Sequence, residues 1–318
     1  MNTKNHLLIL FIFSCSLTLA QDPQFSQAYS GSLDLNPAFA GAFEHPNISV
    51  GYRNQWPGLT GNYVSTIVSY NQFVNKISSG IGAYYLKDIQ GEGGLVTHYW
   101  NFDFSPSFII GNDFVLKPAI GATFVYKKID WNKFVIGDMI DSRYTYAYPD
   151  LTVNKKLTNT STLDFSSGVL VYHRYFDIGF ALDHLFKPYV KFTEPSSGYN
   201  LPRRFTAHGS VYIPLNADKD ILLSPNLIYI KQGDIDSKLL NLCLKYKKGL
   251  AGIGFRGSDS MIFSIGFETN AIRLSYCYDE TVSRLAGAKA SSHEIFLSFS
   301  FLNEKSKSKM PSLKRIAF

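Results

Sequence analysis

The chain of 318 residues is rich in aromatic residues (15%), only 18% charged, and has a formal net charge of +6. Soluble domains usually contain about 25% charged residues, so this fraction is low. A low fraction of charged residues also suits a β-barrel with an apolar lipid-facing surface and a water-filled lumen. The positive excess is concentrated near the end of the sequence, so it does not indicate a nucleic-acid partner. After the leader, the absence of ~18 consecutive apolar residues excludes a helical membrane span.

Residues 1–20 have the pattern of a secretory signal peptide. A short polar start with Lys4 precedes the apolar run Leu7–Phe13, and Thr18 and Ala20 occupy positions −3 and −1 before Gln21. Such a leader is too short to span a bilayer and is expected to be removed. Lipidation at Cys15 is an alternative, although the bulky Phe13 lies where a small residue would be expected.

Residues 21–46 form a polar, aromatic and turn-rich segment, and from residue 47 to residue 302 the dominant period is two. In HYWNFDFS, apolar and polar side chains alternate cleanly, as they do on a strand and not on a helix. Turn signals separate about fourteen such runs. One face comprises His98, Trp100, Phe102 and Phe104, and the other Tyr99, Asn101, Asp103 and Ser105.

The alternation predicts an all-β, transmembrane antiparallel β-barrel of about fourteen strands. A soluble sandwich or propeller would also alternate, but three features favour the membrane. The apolar face is rich in aromatics, the opposite face carries small and polar residues, and the leader exports the chain. No repeat of about 40 residues indicates a propeller.

Two connections are long, and the sequence ends in a basic segment. Residues 127–159 and 186–204 show no clear alternation, and we expect them to be extracellular loops or ordinary surface loops. Residues 303–318 are expected to be a solvated, mobile tail in the periplasm, where they could contact acidic machinery.

Four stretches together resemble the PorP/SprF family of type IX secretion system membrane proteins of Bacteroidetes. They are DPQFSQAYSGSLDLNPAFAG, VGYRNQWPGL, SYCYDETVSRL and SSHEIFLSFSF. The resemblance covers nearly all of the mature chain. It implies an outer-membrane barrel similar in build to fatty-acid transport barrels, which works with the type IX machinery and delivers or holds surface proteins such as gliding adhesins. The last two stretches carry Asp279, His293 and Glu294, and we expect His293 and Glu294 to serve barrel closure.

The segment 21–46 is too irregular to face lipid, because unpaired backbone groups are costly in hydrocarbon. It is therefore expected to lie in the periplasm or to be inserted in the lumen as a plug, although a frayed terminus is the plain alternative. Phe25, Tyr29 and Phe39 are the expected anchors against the wall. The expected turn is made by Asn36, Pro37 and Gly41.

Arg53, Gln55 and Trp56 at the end of the first strand are candidates for a specific interaction. Arg53 could pair with an inward acid such as Asp103 or Asp279. The alternative is a rim position with the tryptophan in an aromatic girdle.

No motif for catalysis or phosphate binding is present, the histidines are isolated in sequence, and no cluster has the spacing of a metal site, so neither an enzyme nor a cofactor is predicted. Cys243 and Cys277 share the inward face. If they lie three strands apart, they are about 14 Å apart, too far for a disulfide. We expect two free thiols.

The function expected from these observations and the resemblance is a non-enzymatic barrel of the outer membrane. Its partners would be the type IX machinery, a secreted surface protein and outer-membrane lipid. The alternative is a transport barrel for hydrophobic solutes, which the mostly polar inward faces disfavour.

Overall fold

The computed structural model describes residues 22–59, 61–91, 93–111, 113–130, 133, 159–191, 198–218, 220–283, 290–302, 307–313 and 318. The predicted signal peptide and most of residues 127–159 lie outside these ranges. Among the described residues, no helix is long and apolar enough to cross a membrane.

The described part is almost entirely β-structure. A short helix, α1 (Ser32–Leu35), and a 3-10 turn (Pro37–Phe39) precede the first strand, and a second 3-10 turn (Asn75–Ile77) follows the second strand. The strands are β1 (Asn47–Gln55), β2 (Tyr63–Val74), β3 (Ser79–Gln90), β4 (Leu95–Pro106), β5 (Phe108–Ile110), β6 (Phe114–Ile129), β7 (Asn159–His173), β8 (Phe176–Asp183), β9 (Tyr189–Lys191), β10 (Gly198–Asn200), β11 (Arg204–Val211), β12 (Ile213–Pro214), β13 (Ile221–Gln232), β14 (Ile235–Tyr246), β15 (Gly249–Arg256), β16 (Ser260–Glu268), β17 (Ile272–Thr281) and β18 (Ser292–Ser300).

Fourteen of the described strands form one closed antiparallel barrel, as the alternation predicts. Each wall strand pairs with two neighbours. β1 pairs with β2 and with β18, and β11 pairs with β8 and with β13, so the ring has no open edge. The remaining four strands are short: β5 and β12 extend the pairing beside β6 and β13, and β9 and β10 form a separate hairpin within the predicted 186–204 loop. Closure satisfies the strand backbones internally, which a membrane requires.

The two faces of the wall follow the predicted alternation. On β4 and β6 the apolar side chains of Phe102, Ile120 and Phe124 are exposed outward, whereas Asp103 and Lys117 are buried inward. A continuous apolar outer face over many strands would be a liability in water and is the expected surface of a membrane barrel.

The connections are short at one end of the barrel and longer at the other. Residues 174–175 and 247–248 are turns at the end where β1 begins, whereas residues 130–158 and 184–203 connect strands at the end where β1 finishes. Since outer-membrane barrels have short periplasmic turns and longer extracellular loops, we call the first the inner end and the second the outer end.

Candidate functional site

The lumen is occupied by residues 22–46, which we call the N-terminal segment. Its first described residue, Asp22, lies among side chains of the outer end, and the segment then descends to the inner end, where β1 begins. Local chemistry explains its turn. The Asn36 side chain accepts a hydrogen bond from the Ala38 N–H (2.9 Å), Pro37 opens the 3-10 turn, and Gly41 adopts φ +67°.

Near the outer end, an ion-pair cluster holds the segment to the strands that close the barrel. Arg53 on β1 contacts Asp279 on β17 and Glu294 on β18, each at 2.9 Å, and it donates to the Ser26 hydroxyl at 2.7 Å. The Glu294 carboxylate accepts the backbone N–H groups of Ser26 (2.9 Å) and Gln27 (2.7 Å). The cluster therefore joins the first strand, the last strand and the N-terminal segment in a site with almost no solvent exposure.

The same cluster decides between the two predicted partners of Arg53. The strand register places Arg53 on β1 opposite Ser65 on β2. Ser65 in turn lies opposite Asp88 on β3, and Asp88 lies opposite Thr97 on β4. Asp103 lies six residues further along β4, about 20 Å toward the inner end. The predicted pairing with Asp279 is confirmed, and pairing with Asp103 is wrong because of this axial offset.

At the outer end, His184 bridges the N-terminal segment and the wall. Its Nε2 lies 2.6 Å from an Asp22 oxygen and its Nδ1 lies 2.7 Å from an Asp164 oxygen. Burial alone would lower the pKa of His184, but the Asp22 charge and the hydrogen bonds that the ring donates to both carboxylates outweigh burial and raise that pKa to about 10. Burial would likewise raise the pKa of Asp22, but His184 holds it well below its usual range.

These two shifts bound the pH range of the attachment. The pKa of His184 rises from 6.5 in the unfolded chain to about 10 in the folded barrel. Its protonated ring therefore stabilises the folded state fully below pH 6.5, and this stabilisation is lost as the pH rises through about 10. The pKa of Asp22 is lowered from 3.8 in the unfolded chain. Its carboxylate therefore stabilises the folded state above pH 3.8, and this stabilisation is lost as the pH falls below that value. The contact is therefore strongest between pH 3.8 and 6.5.

In the middle of the lumen, His208 on β11 contacts three polar groups and one aromatic ring. Tyr29 and Asn36 of the N-terminal segment lie 3.3 Å and 3.1 Å from its two ring nitrogens, and Asp177 lies 3.5 Å away. The Phe39 ring stacks on the imidazole at 5.1 Å. Burial, together with Asp177, raises the pKa of Tyr29 well above its ordinary value, so the phenol stays protonated and donates to Asp177 at 3.1 Å.

At the inner end, the segment packs directly on backbone. The Asn71 side chain accepts from the Gly41 N–H (2.5 Å) and donates to the Phe39 carbonyl (3.0 Å). Gly80 on β3 faces Ala40 so closely that a Cβ there would collide with the Ala40 carbonyl. Only glycine leaves room for this approach.

The end of the chain also lies against the N-terminal segment. The Leu313 N–H donates to the Ala42 carbonyl (2.9 Å), and the Tyr29 N–H donates to the Phe318 backbone oxygen (3.1 Å). The Phe318 ring is 2% exposed and packs with Cys243 and Leu250. The expectation of a solvated tail is therefore wrong for the apolar residues Leu313 and Phe318, which are buried inside the barrel, whereas Lys309 and Pro311 are exposed.

The remaining predicted site residues divide between the lumen and the outer surface. Phe25 is buried edge-to-face against Phe296 (5.4 Å). Gln55 and Trp56 line a cavity of about 1000 Å³ that lies above the N-terminal segment at the outer end. His293 points outward, 2.7 Å from the Tyr276 hydroxyl, and so is separate from Glu294.

The sequence reasoning missed the acidic and histidine partners of the N-terminal segment. Asp22 and His184 are 162 positions apart, and no local pattern links them. The available signal was the alternation, since Asp164 lies between the apolar Leu163 and Phe165 and so falls on the opposite, inward face. Also missed were Asp177 and His208.

Neither Cys243 nor Cys277 forms a disulfide in the structure. Cys243 on β14 and Cys277 on β17 are buried and free, as predicted from their separation by three strands. Among the described residues, no three His, Cys, Asp or Glu side chains are grouped to hold a metal ion.

The sequence matches the family model described as type IX secretion system membrane protein PorP/SprF over residues 17–299. No curated protein matches. A toluene transporter of Ralstonia pickettii, TbuX, is 9% identical, with 86% of this chain and 94% of that chain covered and a TM-score of 0.49. A Pseudomonas aeruginosa FadL homologue is 10% identical, with 89% and 99% covered and a TM-score of 0.45.

Proposed function

Because the chain belongs to the PorP/SprF family of type IX secretion system membrane proteins and is an outer-membrane β-barrel, we propose that it anchors partner surface proteins, such as gliding adhesins, or assists their export. The family and the fold are those of a secretion or transport membrane protein. The secreted partner and the anchoring step are the parts that we propose.

The observation that carries the proposal is the occupied lumen. The N-terminal segment contacts the wall at the outer end, the middle and the inner end through buried polar groups. Pulling the N-terminal segment away from the wall would cost free energy, because each buried donor or acceptor would be left without a hydrogen-bond partner. A lumen held shut in this way supports a docking protein better than an open channel.

The proposal gives the barrel no reaction of its own. The two histidines buried in the lumen, His184 and His208, are enclosed between carboxylates of the wall and the N-terminal segment. A substrate could reach either imidazole only if that segment moved. Their contacts support a structural role.

Transport of hydrophobic solutes is the competing function, and the inward faces weigh against it. Asp103 and Lys117 are buried in the wall facing the lumen, and such groups are poor neighbours for an apolar solute. A transport path would also have to pass the N-terminal segment.

The decisive experiment removes the gene and restores it, with surface-exposed proteins compared by mass spectrometry. Loss of one or a few large surface proteins, with other type IX substrates retained and with recovery on complementation, would support a dedicated anchor or exporter. Loss of every type IX substrate would instead assign the barrel to the core machinery. An unchanged surface with altered uptake of a hydrophobic solute would favour transport.

Hydrogen exchange on the purified barrel tests the occupied lumen separately. Backbone amides of Ser26, Gln27 and Gly41 should exchange slowly, because each donates to a buried side chain. Exchange of these three amides at the rate of an unstructured peptide would contradict the plug.

A further inference from the structure

An apolar groove of about 700 Å³ lies on the lipid-facing surface of β3, β4 and β6, and its rim extends to Tyr70 on β2, to Phe165 on β7 and to residues 185–186 after β8. Its floor is made by Ala83 and Ala122, which flank Phe102 in one cross-strand row. Larger outward side chains, among them Phe104 and Ile120, form its sides. Two alanines between bulky neighbours leave a depression in the wall, and its lining is almost wholly apolar.

Two outward lysines, Lys87 and Lys128, lie on the same strands toward the outer end, and we call them the basic row. Lys87 pairs in register with His98, which pairs with Tyr126, and Lys128 points outward on β6 two residues beyond Tyr126. Lys87 is four residues from Ala83 along β3, which corresponds to about 13 Å. The groove and the basic row thus follow one another along the barrel axis, and the basic row lies nearer the outer end.

Aromatic side chains fill the space between the groove and the basic row. The Tyr85 hydroxyl lies 2.8 Å from His98 Nδ1, and the His98 ring stacks on Trp100 at 5.7 Å. Tyrosine and tryptophan concentrate where hydrocarbon meets the polar headgroups of a membrane. This band marks the basic row as lying at headgroup level and the groove as lying at the level of acyl chains.

We propose that this face is a binding site for a phosphate-bearing lipid of the outer leaflet, with one acyl chain in the groove and its phosphate against Lys87 and Lys128. No acidic side chain among the described residues forms an ion pair with either lysine. Basic residues at headgroup level attract anionic lipids, and the groove supplies the apolar contact that a free phosphate lacks. The site is independent of the proposed role in secretion.

The test compares lipids with the same acyl chains on the delipidated, detergent-solubilised barrel. Native mass spectrometry and tryptophan fluorescence would follow binding of phosphatidylglycerol, phosphatidylcholine and inorganic phosphate. We expect phosphatidylglycerol to bind at least tenfold more tightly than phosphatidylcholine. The Lys87→Gln, Lys128→Gln double variant should lose that preference, whereas Lys231→Gln, which removes an exposed lysine from β13, should keep it.

A second variant tests the groove. Ala83→Leu with Ala122→Leu fills the depression from the lipid side, where added methyl groups meet no protein core, and should weaken binding of both lipids. Equal affinity of the wild type for the two lipids, binding of inorganic phosphate as tightly as lipid, or wild-type behaviour of either double variant would overturn the proposal.

Discussion

Replacement of Arg53 by methionine should destabilise the barrel strongly, because two buried carboxylates depend on this guanidinium. Arg53 makes three hydrogen bonds of 2.7–2.9 Å, to Ser26, Glu294 and Asp279. Removing one partner of a buried ion pair costs about 3–5 kcal/mol, and hydrogen bonds to charged groups contribute about 1.5–3 kcal/mol each. After the substitution, Asp279 retains Arg256, and Glu294 retains two backbone donors. We therefore expect the free energy of unfolding to fall by about 3–5 kcal/mol.

Urea unfolding in detergent micelles or liposomes, followed by tryptophan fluorescence, measures this loss. Arg256→Met is the matched control, because Arg256 is more exposed and bonds only Asp279 and Ser26 within the cluster. It should cost less, about 1–2 kcal/mol. Adding Glu294→Gln to Arg53→Met should restore part of the loss, since it removes an uncompensated buried charge. A fall of less than about 1 kcal/mol for Arg53→Met would refute the reasoning.

Three further predictions concern the occupied lumen. Gly80→Ala should displace the N-terminal segment and raise pore conductance in planar bilayers. Gly82→Ala should do so less, because its new methyl group would meet the flexible Leu33 side chain rather than backbone. A cysteine placed at Gln24 should be labelled by a maleimide more slowly at pH 6 than at pH 9.5, after correction for thiol ionisation, and His184→Gln should abolish that difference. Both native cysteines should stay unlabelled in the folded barrel and react fully after unfolding, with no linked peptide pair under non-reducing conditions.

Each of these has a clear contrary result. Equal conductance of the two glycine variants would mean that the close approach at the inner end does not hold the segment. A labelling rate independent of pH would remove His184 from the attachment. Rapid modification of either native thiol in the folded state would contradict its burial.

The barrel could be predicted from the sequence because its main signal is local. Alternation along each strand sets which side chains point to lipid and which to the lumen, so the outward position of Phe102 and the inward position of Asp103 follow from parity alone. The tight turns between runs then give a strand number of about fourteen, and the described strands form a barrel of that size.

The side chains that contact one another inside the lumen could be predicted only in part. The alternation along a strand shows which side chains point inward, but it does not show how far along the barrel axis each one lies. Asp103 and Asp279 are equally inward in the sequence, and only the strand register distinguishes them as partners of Arg53. The attachment of Asp22 to His184 depends on the path of an irregular segment, which has no periodicity to read. Burial of Leu313 and Phe318 was missed because basic residues outnumber the few apolar residues in the tail.

The cluster around Arg53 links the start of the chain to its last strand. The acceptor for the Ser26 and Gln27 amides is Glu294, which lies directly opposite Arg53 where β18 pairs with β1. With that seam open, Glu294 is no longer held beside Arg53, so Arg53 loses one of its two carboxylates and the amides lose an acceptor that the seam keeps in place. The outer part of the N-terminal segment and the seam between β1 and β18 therefore stabilise each other, so that loosening either one loosens the other.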